Sequence, residues 1–179
     1  MKSLAIIPTF NEIENIQHML DTMMALEPLF DVLVVDDGSP DGTANVVKEN
    51  QKKHNRIHIL ERSGKLGLGT AYIAGFNWAL ERGYDLIYEM DCDFSHNPKD
   101  LVRLREACVA GAGVAVGSRY IRGGKVSNWP VGRILMSYFA SVYVNTVLWL
   151  GVRDSTAGFK CYRREAVSYT HLRAHETEE

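Results

Sequence analysis

Short apolar runs alternate with longer segments of helical spacing along most of this chain. Residues 4–7 (LAII), 32–35 (VLVV), 57–60 (IHIL), 86–90 (LIYEM) and 114–117 (VAVG) are continuous apolar or near-apolar runs of strand length. Continuous rather than alternating runs are what strands covered on both faces require. Between them, residues 12–26, 41–53, 69–82 and 98–109 place apolar residues three and four apart, as at Ile13, Ile16, Leu20 and Met23, which predicts helices. Asp41 or Thr43 is placed to cap the second helix, and Pro98 fits the first turn of the fourth. Strands alternating with helices across short loops predict a parallel, right-handed α/β sheet with helices on both faces. No internal repeat, low-complexity stretch or linker breaks the pattern.

In open α/β sheets ligands bind beyond the carboxyl ends of the strands, so the strand ends are read together. The first run leads into PTFNE, the second into DDGSPDG, the fourth into DCDFSH and the fifth into GSRY. Acids, an aromatic ring, turn-forming residues and an arginine are therefore expected along one edge of the sheet.

Composition narrows the class without deciding it. The chain has 179 residues, 46% hydrophobic and 23% charged, the profile of one ordinary globular domain. Its three cysteines, Cys92, Cys108 and Cys161, have no CxxC or paired spacing, which points to a reduced, cytoplasmic setting rather than a disulfide framework. The apolar run before Pro8 is too short for a signal peptide or a membrane span. The last residues, SYTHLRAHETEE, lack apolar periodicity and resemble read-through into adapter or vector DNA. The expected division is a domain over 1–167, truncated at its C-terminus, and a non-native tail over 168–179.

Charge is unevenly placed. No acidic residue lies between Glu106 and Asp154, while Arg119, Arg122, Lys125, Arg133 and Arg153 fall inside. Such a block suits an anionic partner (phosphate, nucleic acid or acidic lipid), the alternative being a solvated basic face.

The strand-end motifs carry the chemistry. Asp36 and Asp37 precede GSPDG; a carboxylate there can accept hydrogen bonds from a nucleobase edge or a ribose diol, although the segment is also a turn and helix start. KLGLGTAYIAG (65–75) puts Gly67 and Gly69 at a helix start without forming GxGxxG or a P-loop. Asp91 and Asp93 share a face if the fourth strand persists to Asp93, and two like charges so placed call for a cation between them. A hard divalent ion fits best, since Mg²⁺ takes one or two carboxylates and leaves its other positions to water and phosphate. His96 has no spaced partner for zinc and reads as structural.

Taken in order, IIPTFNEIENI, VLVVDDGSPDGT, KLGLGTAY, MDCDFSHNP, GSRY and DSTAGFKCYRREAV resemble the family 2 glycosyltransferases of GT-A fold, most closely the polyprenol (dolichol) phosphate mannose synthases. The resemblance implies a Rossmann-like α/β sandwich with a mostly parallel central sheet and helices on both faces, and inverting transfer of mannose from GDP-mannose to a polyprenyl phosphate. It implies that Pro8, Phe10, Glu12, Val35 and Asp37 hold the base and ribose, and that Asp91 and Asp93 form a DxD motif for Mg²⁺ or Mn²⁺ and the diphosphate. Cys92 and Ser95 would line the same site, Ser95 as a third metal ligand. Phe10 stands where the family often has tyrosine, and Ser95 where some relatives carry a longer amide side chain.

An acceptor phosphate with a second pKa of about 6 is already largely dianionic and needs positioning rather than a strong base. Arg119 and Arg133, in the acid-free block, are the residues expected to supply that charge, and with Asp93 they form the catalytic set. Residues 134–150 (ILMSYFASVYVNTVLWL) are too short and polar to span a bilayer. With Trp129, Tyr138, Tyr143 and Trp149 they suit an interfacial helix, a buried core helix being the alternative. Peripheral association with the cytoplasmic face of the inner (plasma) membrane follows as an expectation, with no nucleic-acid partner. The competing readings are a glycosyltransferase using a UDP sugar and a non-catalytic, Mg²⁺-binding receiver-like module.

Overall fold

The computed structural model describes residues 1–118 and 157–168, together with Gly132, Met136, Tyr143, Thr146 and Asp154. Among these residues six strands form one sheet: β1 (Ser3–Thr9), β2 (Asp31–Asp36), β3 (Ile57–Glu61), β4 (Leu86–Glu89), β5 (Val114–Val116) and β6 (Lys160–Arg163). Helices α1 (Ile13–Met24), α2 (Thr43–Lys53), α3 (Leu68–Glu81) and α4 (Asp100–Val109) connect the first five. The strand order is β3-β2-β1-β4-β6-β5. The three pairings among β1 to β4 are parallel, as the alternating pattern predicts.

The sheet is mostly parallel, as expected, and the antiparallel exception is β6. This strand pairs antiparallel with both β4 and β5 and separates them. Its sequence, KCYR, has one fully buried position, Cys161, flanked by half-buried ones, so no apolar run marks it. Neighbouring backbones, rather than its own hydrophobicity, hold it in register.

Each face of the sheet is covered. Ala5 and Ile7 of β1 and Val32 and Val34 of β2 pack beneath Ile16, Met19, Leu20 and Met23 of α1, in a core that also takes Leu101 and Cys108 of α4. The alternate residues, Leu4, Ile6, Leu33 and Val35, pack on Ala71, Phe76 and Ala79 of α3. Successive strand residues point to opposite faces, which is why the runs are apolar throughout. The seat of α3 is close: a Cβ on Gly75 would stand 2.6 Å from Cγ2 of Ile6.

One detail of β1 opens the functional edge. The Ile6 carbonyl accepts from the Met90 amide, and the Thr9 carbonyl accepts from the Asp37 amide. Alternate residues of β1 therefore bond to β4 and to β2, and Pro8 turns its missing N–H toward β4. The last β1–β4 rung is Ile6 with Glu89, so no ladder bond is lost there. The strands part beyond that rung, at the point where the winding order reverses, which is where open α/β sheets bind ligands.

Candidate active site

A cleft of about 250 Å³ lies at the parted strand ends. Pro8, Phe10 and Glu12 after β1, Asp37 after β2, and Asp91, Cys92 and Asp93 after β4 all line it. Seven residues named from the sequence thus converge from three separate strands. Val35 is fully buried against α3 and lies beneath the cleft rather than in its wall. Ser95 is exposed beyond the lining. Arg119 and Arg133 lie outside the described residues.

The acids closing β2 are held by the protein itself. Asp36 is buried and accepts from the Thr9 hydroxyl at 2.9 Å, the Ser39 amide at 2.9 Å and the Ser39 hydroxyl at 2.6 Å. It fixes the turn and is not in the cleft lining. Asp37 is gripped by Arg62: Nε donates to Oδ1 at 2.7 Å and Nη2 to Oδ2 at 2.8 Å. Both side chains of this pair are about nine-tenths buried, with 10% and 9% exposed. The same guanidinium donates to the Thr70 hydroxyl and the Gly67 carbonyl at the start of α3.

Asp41 ties the two neighbouring loops. It accepts from the Ile13 amide at 3.0 Å and from the Thr43 amide and hydroxyl at 3.0 and 2.7 Å. One carboxylate thus serves the first turns of both α1 and α2, while Gly42, in left-handed conformation, occupies the N-cap position itself. Burial pushes its carboxyl up, but the Thr43 and Ile13 hydrogen bonds outweigh it and hold the group below its ordinary value. Pro98 likewise falls in the turn before α4, which begins at Asp100.

The acids after β4 are arranged differently. The strand ends at Glu89, so Asp91 and Asp93 stand in a turn rather than on a shared strand face. Phe94 takes a left-handed φ of 55° and stacks on His18 with ring centroids 4.8 Å apart. The Ser95 amide donates to Oδ1 of Asp93 at 2.9 Å, which orients that carboxylate at the cleft. Asp91 is partly buried and takes a long hydrogen bond, 3.4 Å, from the Tyr72 hydroxyl of α3. Burial, then the charge of Asp93, raises the Asp91 carboxyl above its ordinary value. Among the described residues no lysine or arginine pairs with either acid.

Cys92 points into the core between them, and burial followed by the Glu12 charge pushes its thiol up to about 12. It stays a thiol at neutral pH and is no nucleophile. Among the described residues no group of three or more His, Cys, Asp or Glu side chains forms a closed metal cage. Two hard carboxylates open to a cleft, with the other positions left for water and phosphate oxygens, fit Mg²⁺ or Mn²⁺ and do not fit a structural zinc.

The remaining wall is mixed. Lys65 holds its ammonium 4.6 Å over the Phe10 ring centroid, adding a cation near the open acids. Glu12 accepts from the Asn15 side chain at 2.9 Å, and its amide donates to the Thr43 hydroxyl. Residues 157–159 return to the site, where a Cβ on Gly158 would lie 3.4 Å from Oδ2 of Asp91. His96 stacks on Phe159 at 4.9 Å and 8°, and its charge opposes the rise of the Asp91 carboxyl. Arg62 is the participant that reading the sequence did not single out. Its signal was faint: one arginine directly after the third strand, ahead of the glycine-rich turn.

The mixed, mostly parallel sheet with this cleft at its switch point defines a GT-A-like α/β protein. Residues 4–170 match the family described as glycosyl transferase family 2, and the chain belongs to that family. It is 46% identical over 174 residues to a polyprenol monophosphomannose synthase of Mycolicibacterium smegmatis, covering 97% of this chain and 66% of that protein. It is also 46% identical to an undecaprenyl-phosphate mannosyltransferase of Micrococcus luteus, covering 99% of this chain and 72% of that protein. A dolichol-phosphate mannosyltransferase of Pyrococcus furiosus is 37% identical, with 49% of its length covered. The chain thus spans between about half and three quarters of these relatives.

The fold is similar to a Pyrobaculum calidifontis mannosyltransferase solved with GDP-Man and Mn²⁺, at TM-score 0.62 and 18% identity, covering 95% of this chain and 46% of that one. It is similar too to a Mycobacterium tuberculosis glucosyl-3-phosphoglycerate synthase solved with Mn²⁺ and UDP, at TM-score 0.66 and 19% identity, covering 92% and 57%.

Proposed function

We propose that this chain carries the donor site of an inverting mannosyltransferase that moves mannose from GDP-mannose to a polyprenyl phosphate. The observation that carries this is the cleft itself. Base- and ribose-directed residues (Pro8, Phe10, Glu12, Asp37) line it together with the acid pair Asp91 and Asp93, which no lysine or arginine joins in an ion pair among the described residues. The relatives named for polyprenyl and dolichyl phosphate mannosyl transfer support the acceptor class.

In this reading Phe10 offers a flat face to the base, and Glu12 and Asp37 accept hydrogen bonds from the nucleoside. Asp91 and Asp93, with Ser95 as a further candidate, hold Mg²⁺ or Mn²⁺. That ion, when bound, neutralises the charge that develops on the leaving diphosphate. An acceptor phosphate oxygen forms the bond to the anomeric carbon while the bond to GDP breaks, its electron pair leaving with the diphosphate. The acceptor is already anionic at neutral pH, so no strong base is called for, and among the described residues that line the cleft none is a histidine. Arg119 and Arg133 bind and orient the acceptor phosphate through their planar forks.

The acceptor is a lipid, and the enzyme works at the cytoplasmic membrane surface as a peripheral protein. Met136 and Tyr143 support this: both are apolar, helical positions, and they are 72% and 69% exposed. Among the described residues no helix is long and apolar enough to cross a membrane.

Calorimetric titration of GDP-mannose and of UDP-glucose, each with and without Mn²⁺, tests the donor assignment. Metal-dependent binding of GDP-mannose alone is the expected result. Preference for UDP-glucose would move the protein to a glucosyl-type donor, and binding of neither donor, with or without Mn²⁺, would overturn the donor-site reading.

A further inference from the structure

Arg62 follows β3, outside every motif that carries the proposed chemistry, yet its guanidinium joins two walls of the cleft. Its contacts use all three guanidinium nitrogens: Nε and Nη2 on the two oxygens of Asp37, Nη1 on the Thr70 hydroxyl at 2.8 Å, and Nη2 again on the Gly67 carbonyl at 3.2 Å. Its own amide donates to the Asp36 carbonyl at 2.8 Å, which pins the chain where the guanidinium departs. Asp37 lies on the β2 side of the cleft, and Gly67 and Leu68 lie on the α3 side.

A structural role alone explains this arrangement poorly. Buried ion pairs contribute little net stability compared with apolar residues of the same volume, because desolvation offsets the attraction. What a two-pronged grip does supply is direction. A carboxylate with both oxygens fixed by a planar fork points its remaining lone pairs one way, and here Asp37 lines a cleft. Gly67 needs the same support. Its φ of 100° lies in the left-handed region, and its carbonyl starts α3 by accepting from the Ala71 amide.

We infer that Arg62 is a positioning residue for nucleotide binding. It acts through Asp37 and through the Gly67–Thr70 turn and sets the width of the nucleoside end of the cleft. This rests on the sugar-nucleotide reading given above. Because the nucleoside is held equally before and during transfer, losing Arg62 weakens donor binding and leaves turnover at saturating donor unchanged. A purely structural role would instead lower the melting temperature and leave the affinity of the folded protein intact.

The experiment is calorimetric titration of GDP with Mn²⁺ into the wild type and into Arg62→Lys, Arg62→Gln, Thr70→Ala, Asp37→Asn and the Arg62→Gln/Asp37→Asn pair. KM and kcat for GDP-mannose are measured alongside, with a short polyprenyl phosphate as acceptor. Arg62→Lys keeps the charge but loses the fork, and it should weaken GDP roughly 10- to 100-fold, as should Arg62→Gln, about the worth of one charge-assisted hydrogen bond. The double variant should be little worse than the worse single one. Thr70 is exposed, so Thr70→Ala tests the α3 side with little risk to folding and should weaken GDP roughly threefold. Lys48→Ala, at the exposed ion pair with Glu61 nearby, should change nothing. Wild-type binding with Arg62 and Thr70 variants within twofold of it, or strictly additive losses, would overturn the positioning role alone. A wild type that binds no GDP would overturn both this role and the function on which it rests.

Discussion

Asp36 and Asp37 close β2, and Asp91 and Asp93 follow β4, at the same edge of one sheet. The protein neutralises the first pair with its own groups. Three hydrogen bonds satisfy Asp36, and a guanidinium fork holds Asp37. The second pair receives one amide, on Asp93, and one long hydroxyl contact, on Asp91, and among the described residues no lysine or arginine forms an ion pair with either acid. Burial and the Asp93 charge together raise the Asp91 carboxyl. Identical side chains therefore do opposite work, one set giving shape and the other leaving a charge deficit for a ligand to fill. The difference lies in the partners that the fold brings, since the side chains themselves are the same.

The largest expected effect falls on the open pair. Asp93→Asn should abolish metal-dependent binding of GDP-mannose and cut turnover at least roughly 100-fold, with the circular dichroism spectrum unchanged. Full metal-dependent binding by this variant would erase the proposed contrast between the pairs.

Next comes the closed pair, read as stability. Asp36→Ala strands the Thr9 hydroxyl and the Ser39 amide and hydroxyl, and should cost about 2–4 kcal/mol in urea unfolding. A cost below that of an ordinary surface substitution would mean that these hydrogen bonds are not what holds the turn.

A smaller effect of opposite sign is expected at Asp91. In EDTA, Asp91→Asn removes a partly buried charge that repels Asp93, so the melting temperature should rise by a few degrees. A fall would show that the Tyr72 contact outweighs the repulsion.

The smallest effect concerns pH. Hydrogen bonds hold Asp41 below its unfolded value, so its contribution is present above the unfolded carboxylate value and is lost as pH falls through the folded one. Urea midpoints between pH 6 and pH 3 should decline less steeply in Asp41→Asn than in the wild type. Parallel declines would remove Asp41 as the tie between the α1 and α2 starts.

Much of this was legible in the chain. The apolar runs at 4–7, 32–35, 57–60, 86–90 and 114–117 all became strands, and the four periodic segments became helices within a few residues of their expected limits. Long periodic segments carry their own signal because a helix face or a doubly covered strand must be apolar to be buried. Helix starts were less legible, since the residues that satisfy them came from elsewhere in the chain. Asp41 serves α1 from 28 residues away. β6 was not legible, because a strand with one buried side chain leaves no hydrophobic trace.

The sequence by itself determined the α/β class, the faces of β1 and β2, and which acids stand at strand ends, because local periodicity and turn chemistry act over a few residues. Only the tertiary structure decided that Pro8 lies where β1 and β4 part, that Asp36 is turned away from the cleft, and that Arg62 grips Asp37 at the cleft. Those outcomes depend on groups 25 or 27 residues apart meeting within hydrogen-bond distance. The energy of a charge is set by such neighbours and by its burial, and neither is written in the residue's own surroundings along the chain.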